Sequence, residues 1–239
     1  MAPQTPLLHP DRYFETRGLD AGRVLLAVGL VLFSALGLAY GVGHVLTTTV
    51  DGTVLVDNPE RPPEAFCDGD VEPPGFDEDA CEEPRQVERN IDPIIDRAIG
   101  EVAGYLLVGM FLVVAGFTLV VHVGSWLAYG TNGLAASFEV TVWGMTPIVV
   151  TAPLALVVLS TTLDPVTLDA ASDPATAFGD LEAQIRSVAW LGTASSVLSA
   201  AWSGVIWKFG LEHRHGLSAG QATAVAAVTA LLLVAGSAL

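Results

Sequence analysis

The sequence predicts an all-α fold: a polytopic membrane helix bundle with five transmembrane helices and an acidic extracytoplasmic loop. Three observations lead there. The 239 residues are 51% hydrophobic but only 15% charged, whereas soluble domains carry about 25% charge. Apolar runs at about 24–46, 101–123, 140–161, 188–209 and 221–239, charged at most at their ends, each suit a hydrocarbon core roughly 30 Å thick. One polar segment, residues 47–100, holds 15 of the 26 acidic residues.

Residues 1–23 read as a cytoplasmic arm, and 24–239 as the membrane domain. The first apolar run is too long, and lacks the A-x-A-type exit, for a cleaved signal peptide. Pro10 and Asp11 precede Arg12-Tyr13-Phe14. That stretch reads as a short interfacial helix laying two rings at headgroup depth, or as an ordinary juxtamembrane arm. The first run rises roughly 35 Å as a helix, and Gly37 and Gly41 give it a G-x-x-x-G for close helix contact.

Residues 47–100 are acidic and proline-rich and hold both cysteines, Cys67 and Cys81. Two cysteines alone in an exposed loop read as a disulfide in an oxidising compartment, stabilising the loop by about 3 kcal/mol on the chain-entropy model. Calcium is the alternative, but Asp68-Gly69-Asp70 and Asp77-Glu78-Asp79 do not space ligands as a calcium loop does. From Val87 to Val102, apolar residues at helical spacing predict an amphipathic helix lying on the outer surface before the second run.

A polar connector, Gly130 to Glu139, follows the second run; Gly130, Asn132 and Gly133 supply permissive backbone for a tight return. Pro147 and Pro153 then interrupt the third run, either shaping a bundle or marking a hinge or partly open helix. Ser172-Asp173-Pro174 is a helix start, with Phe178, Leu181 and Ile185 on one face. The fourth run is rich in small residues, with Trp190, Trp202 and Trp207 as bulky exceptions. Leu211 to Gly220 reads as a basic, histidine-bearing turn before the last run.

Net charge is −16. The acidity argues against nucleic acid, which needs a basic face, and against anionic headgroups. Abundant carboxylates with a single lysine, Lys208, fit a surface hydrated in concentrated salt, as in an extreme halophile. With the N-terminus inside, the inner segments sum to zero and the outer ones to −16. The positive-inside bias and the cysteine placement agree on a cytoplasmic N-terminus and an extracytoplasmic C-terminus at the cell membrane.

Catalytic signatures are sparse. There is no G-x-S-x-G elbow and no H-E-x-x-H, and the run interiors carry no charge of the kind ion-coupled carriers place at mid-membrane. No enzyme, cofactor or metal site is expected. His213, His215 and His122 form the one conceivable metal cluster, and spacing fixes no third ligand.

Two stretches, GTNGLAASFEVTVWGMTP (Gly130–Pro147) and WSGVIWKFGLEHRHGLSAGQA (Trp202–Ala222), together with Pro10-Asp11-Arg12-Tyr13-Phe14, carry a resemblance. The chain resembles prokaryotic members of the Yip family of five-span membrane proteins, the Ypt/Rab-interacting type, over roughly residues 8–239. The Cys-bearing loop departs from that compact pattern. On this resemblance Gly130, Gly133, Pro147, Pro153, Trp202, Gly210 and Gly216 are family-like structural positions. Eukaryotic relatives work in vesicle traffic with Rab GTPases. The resemblance implies a membrane-organising or partner-binding role here, with membrane lipids, other membrane proteins or further copies of itself as partners. The rival reading from the twice-broken third run is a small carrier or channel for an uncharged solute.

Overall fold

The computed structural model describes residues 5–67, 78–131, 133–169 and 174–236. Asn132, Ser172, Asp173 and the carboxylates from Asp68 to Asp77 lie outside them. Helix α1 (Pro10–Thr16) opens with a proline, whose missing amide would have had no partner in the first turn. Helix α2 (Ala21–Thr49) is capped by Asp20, which accepts from the Arg23 amide at 2.9 Å. Strand β1 (Val50–Asp57), the short helix α3 (Glu64–Cys67), a 3-10 turn (Glu78–Cys81) and strand β2 (Gln86–Asn90) lead into α4 (Asp92–Leu127). Helices α5 (Leu134–Met145) and α6 (Ile148–Thr162) follow, then strand β3 (Val166–Leu168), α7 (Pro174–His215) and α8 (Ala219–Gly236).

Among the described residues, α2, α4, the α5–α6 unit (Leu134–Thr162) and α8 are long and apolar enough to cross a membrane. The run at 188–209 lies within α7, where it is continuous with the helix start at Pro174.

The acidic segment is not simply a solvated loop. Strand β1 pairs antiparallel with β2, Thr53 opposite Asn90, and parallel with β3, Val50 opposite Val166. Val50, Ile91 and Leu168 form a small core there, with Leu181 of α7 packed on it. Gly52 has φ +117°, and a Cβ would sit 1.9 Å from the Leu168 carbonyl oxygen, so only glycine allows this approach. The expected amphipathic helix over 87–102 is replaced by β2 and then by α4, which runs unbroken from Asp92 to Leu127. Residues 86–90 form a strand because β1 is available to pair with them, Val56 opposite Val87. Cys67 and Cys81 are disulfide-bonded, with Cα atoms 5.7 Å apart.

At the other end of the bundle, two expectations change. The connector is shorter than Gly130–Glu139, because α5 begins at Leu134 and takes Glu139 into its second turn. The turn after the fourth run shrinks to Gly216–Ser218, because α7 continues through His215. Gly216 then leaves the helix at φ +68°. Ser218 and Gln221 form a capping box that starts α8, Gln221 N donating to Ser218 Oγ at 3.4 Å and Ser218 N to Gln221 Oε1 at 3.0 Å.

Pro147 ends α5 and begins α6. Without its amide, the Trp143 carbonyl is taken by Thr146, through N at 3.2 Å and Oγ1 at 2.6 Å. Pro153 lies inside α6, which continues through it. Gly41 meets Leu156 of α6, while Gly37 faces open space. The G-x-x-x-G is therefore partly used inside the bundle.

Candidate functional site

The polar chemistry of the bundle gathers where α1, α5 and the end of α7 meet. Glu139 and Arg214 are both buried, at 1% and 8% exposed. Arg214 grips the carboxylate with two donors, Nε to Oε2 at 2.5 Å and Nη2 to Oε1 at 3.1 Å. Its Nη1 donates to the Phe14 carbonyl at 2.9 Å, and its guanidinium faces the Phe14 ring 5.2 Å from the centroid. The planar fork thus satisfies a carboxylate and a main-chain carbonyl at once, a match that Lys cannot give.

Helix α1 is held by this grip. The rings of Tyr13 and Phe14 are both buried in protein, against Ala27, Val142, Trp143 and Ile206. Tyr13 stands edge-on to Trp143, with centroids 5.3 Å apart. Burial pushes the Tyr13 phenol up from its usual value, and the Glu139 charge adds to that rise. Two more ties hold the arm. Trp202 Nε1 donates to the Leu7 carbonyl at 2.9 Å, and His213 Nε2 lies 2.7 Å from Asp11 Oδ1.

Beside the ion pair runs a histidine–serine chain. Ser137 Oγ lies 3.1 Å from His122 Nδ1 and 3.2 Å from His215 Nε2. One hydroxyl proton serves two ring nitrogens, so one imidazole donates to the serine and the other accepts from it. His215 lies past residues 188–209 and is fully buried. Burial, then the nearby His122, lower its pKa to about 4. His213 points elsewhere, to Asp11. Among the described residues no group of three His, Cys, Asp or Glu is placed to hold a metal.

The family-like positions divide. Gly210 permits α7 to approach α5, since a Cβ would lie 2.8 Å from Val140 Cγ1. Gly130 lies against the Ser125 carbonyl oxygen and the His215 side chain, where a Cβ would be 2.9 Å and 3.3 Å away. Gly133 has open space around it, and among the described residues at this turn the left-handed non-glycine is Tyr129, at φ 64°. Gly144, outside the predicted set, makes the tightest helix contact, with Trp207. The Glu139–Arg214 pair was also missed. The signal was available: each is a charge within one of the two motif stretches, and the charges are opposite.

The Yip1 domain profile matches residues 6–239, a range that takes in α1, the sheet and both motif stretches. No curated protein and no solved structure matches the chain significantly. The profile is one of membrane proteins tied to membrane organisation or trafficking. With that match covering nearly the whole chain and the helices able to cross a membrane several times, this protein is a multi-pass membrane protein of the Yip1 domain family.

Proposed function

We propose that the protein works by assembling with other membrane proteins or lipids, without chemical turnover. The observation that carries this reading is the outer face of α4. Gly100 and Gly104 stand there with nothing within 4 Å of a Cβ built on either. Exposed Val108, Phe111 and Leu112 continue the same surface. A helix face with glycines four apart and apolar side chains beyond them lets a partner backbone approach closely. The buried ion pair supports the same reading, since its charges are engaged in fixing α1.

In this reading α7 crosses the membrane at 188–209 as the fifth span. The N-terminus is cytoplasmic, and the sheet and disulfide lie outside the cell membrane. Supporting this are the zero-to-−16 charge split and the pairing of β1 with β3, which requires the segments after α2 and after α6 to lie on one side.

The test is crosslinking in native membranes. Gly104→Leu, which has room to fold, should abolish the crosslinked species while leaving thermal stability unchanged. A wild-type protein that stays uncrosslinked and moves a solute into liposomes would overturn the proposal. That outcome would favour the second reading, a carrier for an uncharged solute, which draws on a cavity of about 380 Å³ reaching Met145 and Ile148 on either side of Pro147.

A further inference from the structure

Hydroxyls in apolar helices usually turn back onto their own main chain, because hydrocarbon offers no other acceptor. Many in this protein do so: Thr118 donates to Val114, Ser160 to Val157 and Thr229 to Val225. Among the described residues, Ser195, Ser196, Ser199 and Ser203 of α7 make no such bond. All four line one wall of the cavity of about 380 Å³ beside the Pro147 break. Ser203 is 2% exposed as a residue, lines the cavity, and makes no side-chain hydrogen bond among the described residues, so its hydroxyl is open to the cavity.

The facing wall is apolar, built from Val31, Leu38, Met110 and Val113. Among the described residues no charged side chain lines either wall, so a charged guest would find no counter-ion there in a medium that strongly penalises its burial. A second cavity, of about 500 Å³, shares Leu38, Thr151 and Ser195 with the first and continues past Leu154 and Leu159. Leu154 and Leu198 on its rim are exposed, so the space opens sideways where lipid would lie.

We infer that this cleft binds one neutral amphiphile, its hydroxyl-bearing head at Ser199 and Ser203 and its hydrocarbon chain along Leu154 and Leu159. The inference rests on the lipid side of the assembly reading and names the lipid class: uncharged, with a donor and acceptor at one end, such as a glycerolipid with a free hydroxyl. The four serines supply hydrogen bonds that the main chain does not take up, and the second cavity supplies an apolar track continuous with them.

The experiment uses the full chain in nanodiscs, with a photoactivatable diacylglycerol analogue and the matched phosphatidic acid analogue. The neutral probe should label peptides containing Leu154–Leu159 and Ser195–Ser203 about tenfold more than the anionic one, the ratio expected for one well-made hydrogen-bonding site against an unpaired charge. Ser199→Ala, which cannot disturb folding by bulk, should reduce that labelling several-fold, and Ser203→Leu should abolish it. Gly104→Leu should leave it unchanged even where it abolishes crosslinking to partners, so failure of assembly and failure of this site are told apart. Equal labelling by both probes, labelling of the α4 outer face to the same extent, or no effect of Ser199→Ala would each overturn the site as ordinary surrounding lipid. Competition by free glycerol without the acyl chains would overturn it in favour of a small solute.

Discussion

Gly144 of α5 and Trp207 of α7 touch so closely that a methyl group on Gly144 would lie 1.9 Å from the indole Nε1. The indole has nowhere to retreat. It is fully buried, stacked on Phe117 at 5.9 Å between centroids, and its Nε1 donates to the Thr141 carbonyl at 3.3 Å. Gly144→Ala is expected to destabilise the bundle by about 1–3 kcal/mol, the range for overpacking a filled core. Gly133→Ala, with nothing within 4 Å, should stay within about 0.5 kcal/mol of wild type. Thermal unfolding in detergent, followed by tryptophan fluorescence, compares the two; equal effects would contradict the contact.

Breaking the Glu139–Arg214 pair from one side leaves a buried charge alone. Glu139→Gln or Arg214→Met should each cost about 3–5 kcal/mol, whereas the double replacement Glu139→Leu with Arg214→Met should lose less than either single change. Because Arg214 also holds the Phe14 carbonyl, the Arg214 variant should expose residues 10–16 to protease. Single variants as stable and as protected as wild type would show that the pair does not fix α1.

Acid should loosen the same region. The folded His215 has a pKa near 4 against 6.5 in the unfolded chain, so below 6.5 the unfolded state binds a proton that the folded state refuses. Its contribution to stability is complete above pH 6.5 and is lost as pH falls from 6.5 towards 4. His215→Gln, which keeps a partner for Ser137, should flatten the stability profile across that window relative to wild type. Parallel profiles would assign the acid sensitivity to the carboxylates instead.

Reduction should act locally. The Cys67–Cys81 bond closes a loop of sequence separation 14, which on the chain-entropy model is worth about 3 kcal/mol. Unreduced peptides should contain the linked pair by mass spectrometry. After reduction, proteolysis between residues 58 and 85 should accelerate while the helices keep their far-ultraviolet signal. Two alkylatable thiols in protein from intact cells would exclude the bond in its native setting.

Orientation is tested with single cysteines in a Cys67→Ser, Cys81→Ser background. Leu55→Cys, on the sheet, should react with an impermeant maleimide from outside intact cells, and Thr131→Cys only after the membrane is opened. The reverse pattern would invert the proposed topology.

The membrane helices were legible because hydropathy over twenty residues is a strong signal that needs no tertiary knowledge. The sheet was not. Val50, Thr53 and Val87 carry only a weak alternation, and the strands depend on partners far along the chain, Val166 opposite Val50 among them. The polar seam was half legible. Its residues lay inside the recognised motifs, but Glu139 read as connector and Arg214 as turn, since helix ends are the least certain feature of a sequence. Once α5 starts at Leu134 and α7 runs to His215, both side chains fall on facing helix surfaces and the pair becomes inevitable.

The central strand β1 has a consequence for how the chain is made. Its first partner, β2, follows it before α4 is synthesised, but its second, β3, emerges only after α4, α5 and α6. The sheet is therefore completed only after three further helices have been made, and only in chains whose two connecting segments have been delivered to the same face. A chain that inserted α5 and α6 wrongly would display β1 with an open edge of unpaired amides, the kind of surface that recruits other strands. Closure of the sheet in newly made protein thus depends on the correct threading of every helix between β1 and β3.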